Sequence, residues 1–415
     1  MALGVSFVLA ILAVATFVGP LIGERLRVPG AVIELLIGIG LSFVLPSGDL
    51  TSTGVVSTLG ELGFLILMFL VGVEFDFAEI RGASRSAFLM GAALFAVSLT
   101  TSWFLLGHLA GASTIWVLTG AATSVGITVP VLHVRGWMGD RFGRDVLMVG
   151  TVAEICYLVA LNVLSVASRH DSGVTTVLLG TRALGFVVFA LLVVGFVRRI
   201  RSRVPRHFHR WFLRDDPLEV GLRGTFAMLF VVVAFSGVMR IPSVMGALLA
   251  GVIFRSVIGR AKTIVERLTS VANAFLIPLF FLSVGLQTSL RADLIGLWPV
   301  VGAVLVVLSI PRLVVLPYLR RRGYSWRLAL AGSVSLMAPL TLLVTTAQIG
   351  RSGGFIGAKN YAAIIVVAVV STIIFPSVAR GILPHRREEA QRIEEATSTD
   401  TSSVEDVDDS VGESS

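Results

Sequence analysis

The chain has 415 residues, of which 55% are hydrophobic and only 14% are charged, and its formal net charge is +8. A soluble protein carries roughly a quarter of its residues as charged side chains, so this composition excludes an ordinary soluble domain. Apolar stretches of about 20 residues recur along the chain, and each is long enough to cross a bilayer as a helix. The sequence therefore predicts an all-α membrane protein. Excess Arg is typical of cytoplasmic loops, so we expect no nucleic-acid partner.

Hydropathy predicts about thirteen transmembrane helices within residues 1–384. The predicted spans are 3–23, 28–45, 55–73, 86–107, 115–134, 145–166, 174–197, 218–239, 241–259, 268–286, 294–319, 328–350 and 360–382. Arg-rich loops follow the odd-numbered spans, and basic loops stay in the cytoplasm. We therefore expect a multi-pass protein of the cell (inner) membrane, with the N-terminus outside and the C-terminus in the cytoplasm. The first span lacks the basic flank of a signal peptide, so we expect that it is not cleaved.

Early acidic residues lie near the ends of their spans. Glu34, Glu61 and Glu74 are interpreted as interfacial for that reason.

Span 5 is interrupted in the middle of an apolar run, Thr119-Gly-Ala-Ala-Thr-Ser-Val-Gly-Ile-Thr-Val-Pro130. Gly weakens a helix and Pro removes a backbone donor, so the freed backbone groups need other partners. The predicted helix breaks in this span are Gly126 and Pro130. The hydroxyl groups beside them belong to Thr123, Ser124 and Thr128.

Span 6 carries an acidic residue close to mid-membrane. Glu154 lies about ten residues into the span, and an intramembrane carboxylate is costly enough to indicate function. A structural role, in which a neighbouring Arg holds Glu154 for helix packing, is the alternative. We predict that Glu154 binds a proton or a monovalent cation.

The segment 198–217 is basic and is predicted to be a cytoplasmic loop between two halves, 1–197 and 218–384. In span 11, Arg312 either supports the charge of Glu154 or extends toward the cytoplasmic surface near Arg320 to Arg322. Both interpretations stay open.

Span 12 contains a second interruption, Ser335-Leu-Met-Ala-Pro-Leu-Thr341, with its break at Pro339. It follows the first interruption by seven spans, so the two segments cross the membrane in opposite senses. Spans 1–6 and 8–13 are therefore predicted to be inverted-topology repeats whose interrupted helices cross near the midplane. The remaining residues, 385–415, are rich in Ser, Thr, Asp and Glu and are predicted to be a disordered, acidic cytoplasmic tail.

Several motifs, in this order, resemble the monovalent cation/proton antiporters of the Kef-type branch, with the sodium/proton exchangers closest. The motifs are Arg25-Leu-Arg-Val-Pro-Gly-Ala-Val-Ile-Glu34 with Gly38 and Gly40, Glu61-Leu-Gly-Phe-Leu-Ile-Leu-Met-Phe-Leu-Val-Gly-Val-Glu74, Thr123-Ser-Val-Gly-Ile-Thr128, Met245-Gly-Ala-Leu-Leu-Ala-Gly251 and Ile277-Pro-Leu-Phe-Phe-Leu-Ser-Val-Gly285. The resemblance covers nearly the whole membrane portion. It implies a homodimer that moves a core domain against a fixed dimerisation domain.

This sequence departs from the family pattern at three places. Family exchangers carry two adjacent acids where this chain has Ala153 and Glu154, and a Lys is common where Arg312 lies. The family's Arg-Gly-Glu after the Pro of span 12 is replaced by Leu340-Thr-Leu342. No nucleotide-binding domain follows span 13 in this sequence, so gating by such a domain is not expected.

The predicted function is exchange of Na⁺ or K⁺ for H⁺, with one cation per proton. Burial disfavours the charged form of a carboxylate, so a proton and a cation compete for Glu154, and exchange follows if only the occupied site crosses. Thr123, Ser124 and Thr128 are expected to supply further oxygen ligands, and Arg312 is expected to hold Glu154 in the empty site. We expect no cofactor and no enzymatic activity, since no nucleophile–base set or phosphate loop is found.

Three other interpretations stay open. Gly136-Trp-Met-Gly-Asp-Arg-Phe-Gly-Arg144 resembles a loop motif of major facilitator transporters, although it lies here between spans 5 and 6. A Kef-type potassium efflux channel would share the spans but would conduct without saturating. A membrane sensor or scaffold would retain the fold without any flux.

Overall fold

A computed structural model of the chain describes residues 5–44, 54–74, 84–109, 114–167, 199, 219–238, 243–258, 262–288 and 294–386. Every predicted span except 174–197 falls largely within these ranges and is helical there, apart from the interruptions in spans 5 and 12. The predictions for span 7, for almost all of the basic loop 198–217, and for the tail beyond Arg386 lie outside the described residues. The described residues contain helices and no strand, as the composition predicts.

The α-helices are numbered here in chain order over the described residues. They are α1 Val5–Leu26, α2 Gly30–Val44, α3 Val55–Glu74, α4 Arg85–Leu109, α5 Thr114–Ala121, α6 Thr128–Val134, α7 Arg141–Ala167, α8 Val220–Val238, α9 Ser243–Ile258, α10 Lys262–Val271, α11 Ile277–Gln287, α12 Leu294–Ser309, α13 Val315–Arg321, α14 Trp326–Ser335, α15 Leu340–Ser352 and α16 Ala358–Ile382. A π-turn, Ala272–Leu276, joins α10 to α11, and a 3₁₀ turn, Ile310–Val314, joins α12 to α13.

The outer surface of the helices is apolar. Eight helical stretches in the described residues are long and apolar enough to cross a membrane, and Gly30–Phe43 and Ser243–Ser256 are shorter apolar helices. Side chains such as Phe17 and Val238 are 71% and 74% exposed. Outward-facing apolar side chains are unfavourable in water but stable in lipid. The helices are therefore built for a bilayer.

The helices pack as two bundles. In the first bundle, α11 packs against α2 and α3, α9 packs against α3 and α8, and α1 packs against α2. In the second bundle, α4 packs against α5, α7 and α12, and α16 packs against α12, α14 and α15. Among the described residues, each bundle therefore contains three predicted spans from each half of the chain.

Glycine pairs bring the helices of the first bundle into backbone contact. A Cβ atom added to Gly38 of α2 would lie 2.4 Å from the Leu282 carbonyl oxygen of α11, and one added to Gly285 would lie 2.3 Å from the Leu35 carbonyl oxygen. Gly72 and Gly251 make the matching contact between α3 and α9, where an added Cβ would also meet backbone. Small residues drive helix association in lipid because they allow such close approach. The glycines of the family-like motifs thus have a packing role.

Candidate functional site

The two interrupted helices meet inside the second bundle. The chain is non-helical at residues 122–127, between α5 and α6, and at 336–339, between α14 and α15. The buried Thr128 hydroxyl, at the start of α6, donates to the Ser335 carbonyl oxygen at the end of α14 over 2.9 Å. This bond satisfies a carbonyl that has no partner at a helix end. It ties the first interruption to the second.

The break in span 5 is at Gly126, as predicted, but not at Pro130. Pro130 is the third residue of α6. The first four N–H groups of a helix have no intrahelical acceptor, so a Pro there removes no bond. Pro339 lies in the second break and directly precedes α15, as predicted.

Glu154 of α7 faces the first break. Its Oε1 atom accepts a hydrogen bond from the Ser124 hydroxyl over 2.8 Å, and its Oε2 atom accepts one from the Val125 N–H over 3.0 Å. The Ser124 oxygen in turn accepts from the Gly126 N–H over 3.2 Å. Glu154 is half-buried. Both carboxylate oxygens therefore have donors, and part of the surface of Glu154 stays accessible.

Arg312 lies on the 3₁₀ turn and its side chain is fully buried. Its Nη1 donates to the Gly120 carbonyl oxygen over 2.9 Å, and its Nη2 donates to the Ala122 carbonyl oxygen and, over 2.9 Å, to the Thr123 hydroxyl. These carbonyls belong to the last turn of α5 and the first residue of the break. A cation stabilises the negative end of a helix. Arg312 therefore caps the end of α5.

In this structure Arg312 takes neither of the two predicted positions. A fully buried guanidinium does not extend toward the surface, and Arg312 forms no ion pair with Glu154 in the described structure. The backbone carbonyls freed by the break lie within hydrogen-bonding distance of the Arg312 guanidinium, and they bind it in place of Glu154. The positive charge thus neutralises the end of α5, and the backbone and hydroxyl donors of the break serve Glu154.

Each of the three predicted hydroxyl ligands contacts a different group. Ser124 contacts Glu154, Thr123 contacts Arg312, and Thr128 contacts Ser335. Only Ser124 is placed as a ligand beside the carboxylate. No cluster of three or more His, Cys, Asp or Glu side chains that could hold a metal ion occurs in the described part of the chain. A hard monovalent cation at Glu154 would thus take its remaining ligands from hydroxyl and backbone oxygens.

Sequence reasoning missed Gly150, one turn before Glu154 on α7. A Cβ atom added there would lie 2.4 Å from Val125 and 2.6 Å from Leu336, so side chains from both breaks pack on this glycine. A Gly in an apolar span carries no signal of such a contact. Gly150 lets both breaks approach the helix of Glu154.

Another interaction that sequence reasoning missed links the same helix to α15. Tyr157 is fully buried, and its hydroxyl is hydrogen-bonded to the Thr346 hydroxyl. Two isolated polar residues in separate apolar spans cannot be paired from sequence. The contact joins the helix of Glu154 to the second half of span 12.

Glu34 differs from the other two early acidic residues in its burial. Glu34 is only 4% exposed and packs against Gly19 of α1, whereas Glu61 and Glu74 are exposed. The glycine leaves room for the carboxylate between α1 and α2.

The motif from Gly136 to Arg144 anchors the segment that follows α16. Trp137 is buried, and its indole N–H donates to the Pro384 carbonyl oxygen over 2.9 Å. Asp140 accepts from the Phe142 N–H over 3.0 Å and pairs with Arg386 at 3.1 Å. The motif therefore has a structural role that requires no likeness to major facilitator transporters.

Comparison with known proteins supports one family over nearly the whole membrane portion. The family model "Sodium/hydrogen exchanger, transmembrane" matches residues 12–384. The "Putative Na(+)/H(+) antiporter YjbQ" of Bacillus subtilis is 28% identical over 92% of this chain, which spans 63% of that protein's length. The "Na(+)/H(+)-K(+) antiporter GerN" of Bacillus cereus is 24% identical over 89% of this chain and 94% of that protein.

A solved structure has the same fold. The sodium proton antiporter MjNhaP1 from Methanocaldococcus jannaschii, at pH 8, matches with a TM-score of 0.59 and 18% identity. The match covers 91% of this chain and 97% of that chain. At this identity, the likeness establishes the fold alone.

Proposed function

The chain belongs to the family of sodium/hydrogen exchanger transmembrane proteins, and we propose that it exchanges a monovalent cation, Na⁺ or K⁺, for H⁺ at Glu154. One observation carries the proposal. A half-buried carboxylate meets the Ser124 hydroxyl and the Val125 N–H where an interrupted helix crosses the bundle. K⁺ is included because one relative, GerN, is named as a Na(+)/H(+)-K(+) antiporter.

In the proposed cycle, a cation and a proton compete for the same carboxylate. The Ser124 and Val125 donors stabilise the ionised form, whereas partial burial disfavours it. When a cation enters, rotation of the Ser124 O–H turns the hydroxyl oxygen toward the ion, and Glu154 supplies the negative charge. When a proton enters, it neutralises Glu154. Exchange follows if only the occupied, neutral site crosses the membrane.

The predicted inverted repeats provide the moving parts. Under a repeat relation between spans 1–6 and 8–13, the contact of α2 with α11 becomes the contact of α9 with α3, and both contacts are made by glycine pairs. The same repeat relation places interrupted span 5 in the position of interrupted span 12. We therefore assign alternating access to movement of the second bundle against the first. We also propose that the first bundle forms the homodimer.

Exchange is proposed to be electroneutral. Arg312 is engaged with backbone carbonyls and Thr123, and an Arg side chain does not release a proton in proteins. The first of the two adjacent acids in the family pattern is replaced by Ala153, which is fully buried. One carboxylate at the site then moves either one cation or one proton.

The location and the branch of the family are proposed from the sequence. We assign the protein to the cell (inner) membrane with the Arg-rich loops and the C-terminus in the cytoplasm, because basic loops are retained there. The order of the motifs supports the Kef-type branch. The loop 198–217 and the tail 385–415 then lie on the cytoplasmic side.

The test is proton flux in reconstituted vesicles with a pH gradient and a pH-sensitive dye. Na⁺, K⁺ and Li⁺ are added in turn to vesicles of the wild type, Glu154→Gln and Glu154→Asp. We expect saturable, cation-dependent collapse of the gradient, lost in Glu154→Gln and partly kept in Glu154→Asp. Ser124→Ala should raise the cation KM about tenfold, as expected for the loss of about 1.4 kcal/mol of binding.

The alternatives give different outcomes. Conductance that does not saturate would favour a channel, and no flux of any cation would favour a sensor or scaffold. A Glu154→Gln variant as active as the wild type would remove Glu154 from the mechanism. A current that reverses with membrane voltage would contradict electroneutral exchange.

A further inference from the structure

A basic cavity of about 600 Å³ opens where α1, α6 and α16 end. Its lining includes three arginines, Arg27, Arg135 and Arg380, together with His385. Each of these residues follows or ends an apolar span. The cavity therefore lies at the membrane surface on the side of the Arg-rich loops.

The three arginines are linked in series by hydrogen bonds from a side chain to a backbone carbonyl. Arg135 donates from Nη2 to the Arg380 carbonyl oxygen, and Arg380 donates from Nη2 to the Arg27 carbonyl oxygen over 3.0 Å. Arg27 adopts a φ of 57°, in the left-handed region that is unfavourable for a side chain of this kind. The local fold therefore holds like charges beside one another at a conformational cost.

No carboxylate of the described residues neutralises these charges. Arg27, Arg135 and Arg380 form no ion pair there, and Asp140, which follows Arg135 in the chain, is paired with Arg386. Clustered like charges repel one another unless a counter-charge is bound. The cavity is thus suited to an anion, and guanidinium forks match the oxygen geometry of a phosphate group.

Apolar side chains complete the lining. Leu26 is 61% exposed and Val134 is 65% exposed, and both line the cavity. A free anion would gain nothing from these side chains, whereas a phospholipid places its headgroup and its acyl chains side by side. Basic pockets between helix ends on the cytoplasmic side are a known way to bind anionic headgroups.

We propose that this cavity binds the headgroup of an anionic phospholipid from the cytoplasmic leaflet. The phosphate contacts the three guanidinium groups, and the acyl chains follow Leu26 and Val134. Because α1 belongs to the first bundle and α6 and α16 to the second, the bound lipid bridges the two bundles. The site does not depend on the identity of the transported ion.

The test is lipid binding to the full-length protein in detergent, measured by native mass spectrometry. Phosphatidylglycerol and phosphatidylcholine are titrated onto the wild type, Arg135→Gln and Arg27→Asn. Asn tolerates left-handed backbone. Arg85→Gln is the matched control, because Arg85 is exposed at the start of α4 and outside the cavity.

We expect the wild type to prefer phosphatidylglycerol. Each cavity variant should bind it about fivefold more weakly, as expected for one basic residue near a headgroup, and Arg85→Gln should bind as the wild type does. Equal loss in all three variants, or no preference for phosphatidylglycerol in the wild type, overturns the proposal.

Two further arms separate the source of the anion. Inorganic phosphate or soluble glycerophosphoglycerol should not displace the lipid at equal concentration, and displacement would mean a free-anion site. A full-length variant with Glu405, Asp406, Asp408 and Asp409 changed to the corresponding amides should bind lipid as the wild type does. Lipid binding only in that variant would make the acidic tail the occupant and overturn the proposal.

Discussion

Replacement of Arg312 by Gln should strongly lower the stability of the protein. It should leave ion binding by the folded protein unchanged. The variant leaves the Gly120 and Ala122 carbonyl oxygens without their charged donor in a fully buried position. Hydrogen bonds to charged groups contribute roughly 1.5–3 kcal/mol each, so loss of the two bonds costs about 3–6 kcal/mol. Arg312→Lys keeps the charge but has no fork, so it should recover part of this loss.

The measurement combines thermal unfolding in detergent with antiport at a temperature where each variant is folded. Arg85→Gln is again the control, because an exposed substitution is expected to change stability by no more than about 0.5 kcal/mol. Arg312→Gln should unfold at a clearly lower temperature than Arg312→Lys, and the folded fraction should keep a wild-type cation KM. Wild-type stability in Arg312→Gln, together with loss of cation binding, would refute the capping role.

Three further changes test the surroundings of the site. Gly150→Val should abolish transport in folded protein, because even its Cβ would lie 2.4 Å from a side chain of the first break, whereas Gly150→Ala should retain more activity. Thr128→Val should cost about 1–3 kcal/mol in thermal unfolding by leaving the buried Ser335 carbonyl unpaired, and unchanged stability would contradict the tie between the breaks. Burial and the hydrogen bond to Asp145 raise the pKa of the Tyr324 hydroxyl. The stabilising contribution of Tyr324 is therefore complete below about pH 10 and is lost at higher pH. Tyr324→Phe should flatten the alkaline part of the curve of stability against pH.

The positions of the helices could be predicted from the sequence because lipid imposes a length and an apolar composition on each span. The first interruption could be predicted as well, since Thr123, Ser124 and Gly126 are unusual together in an apolar run. Pro130 was misplaced because a Pro fits the first turn of a helix as well as it breaks one. The same pattern permits both.

The contacts of Arg312 and Gly150 could not be predicted. The acceptors of Arg312 are backbone carbonyls, which every residue has, so no side-chain pattern points to them. Gly150 matters through atoms of residues 125 and 336, which are distant in sequence and meet only in the folded bundle. Ser124 could be predicted as a neighbour of Glu154 because a break beside an acid leaves few other partners.

The glycine pairs between α2 and α11, and between α3 and α9, limit how this sequence can evolve. A larger side chain in a protein core is often accommodated when its neighbour becomes smaller. At Gly38 and Gly285 the neighbour is already a glycine or a backbone carbonyl, so no smaller residue is available to compensate. Substitution of these glycines is therefore unfavourable on both helices. Lipid-facing positions such as Val238, in contrast, can vary freely among apolar residues.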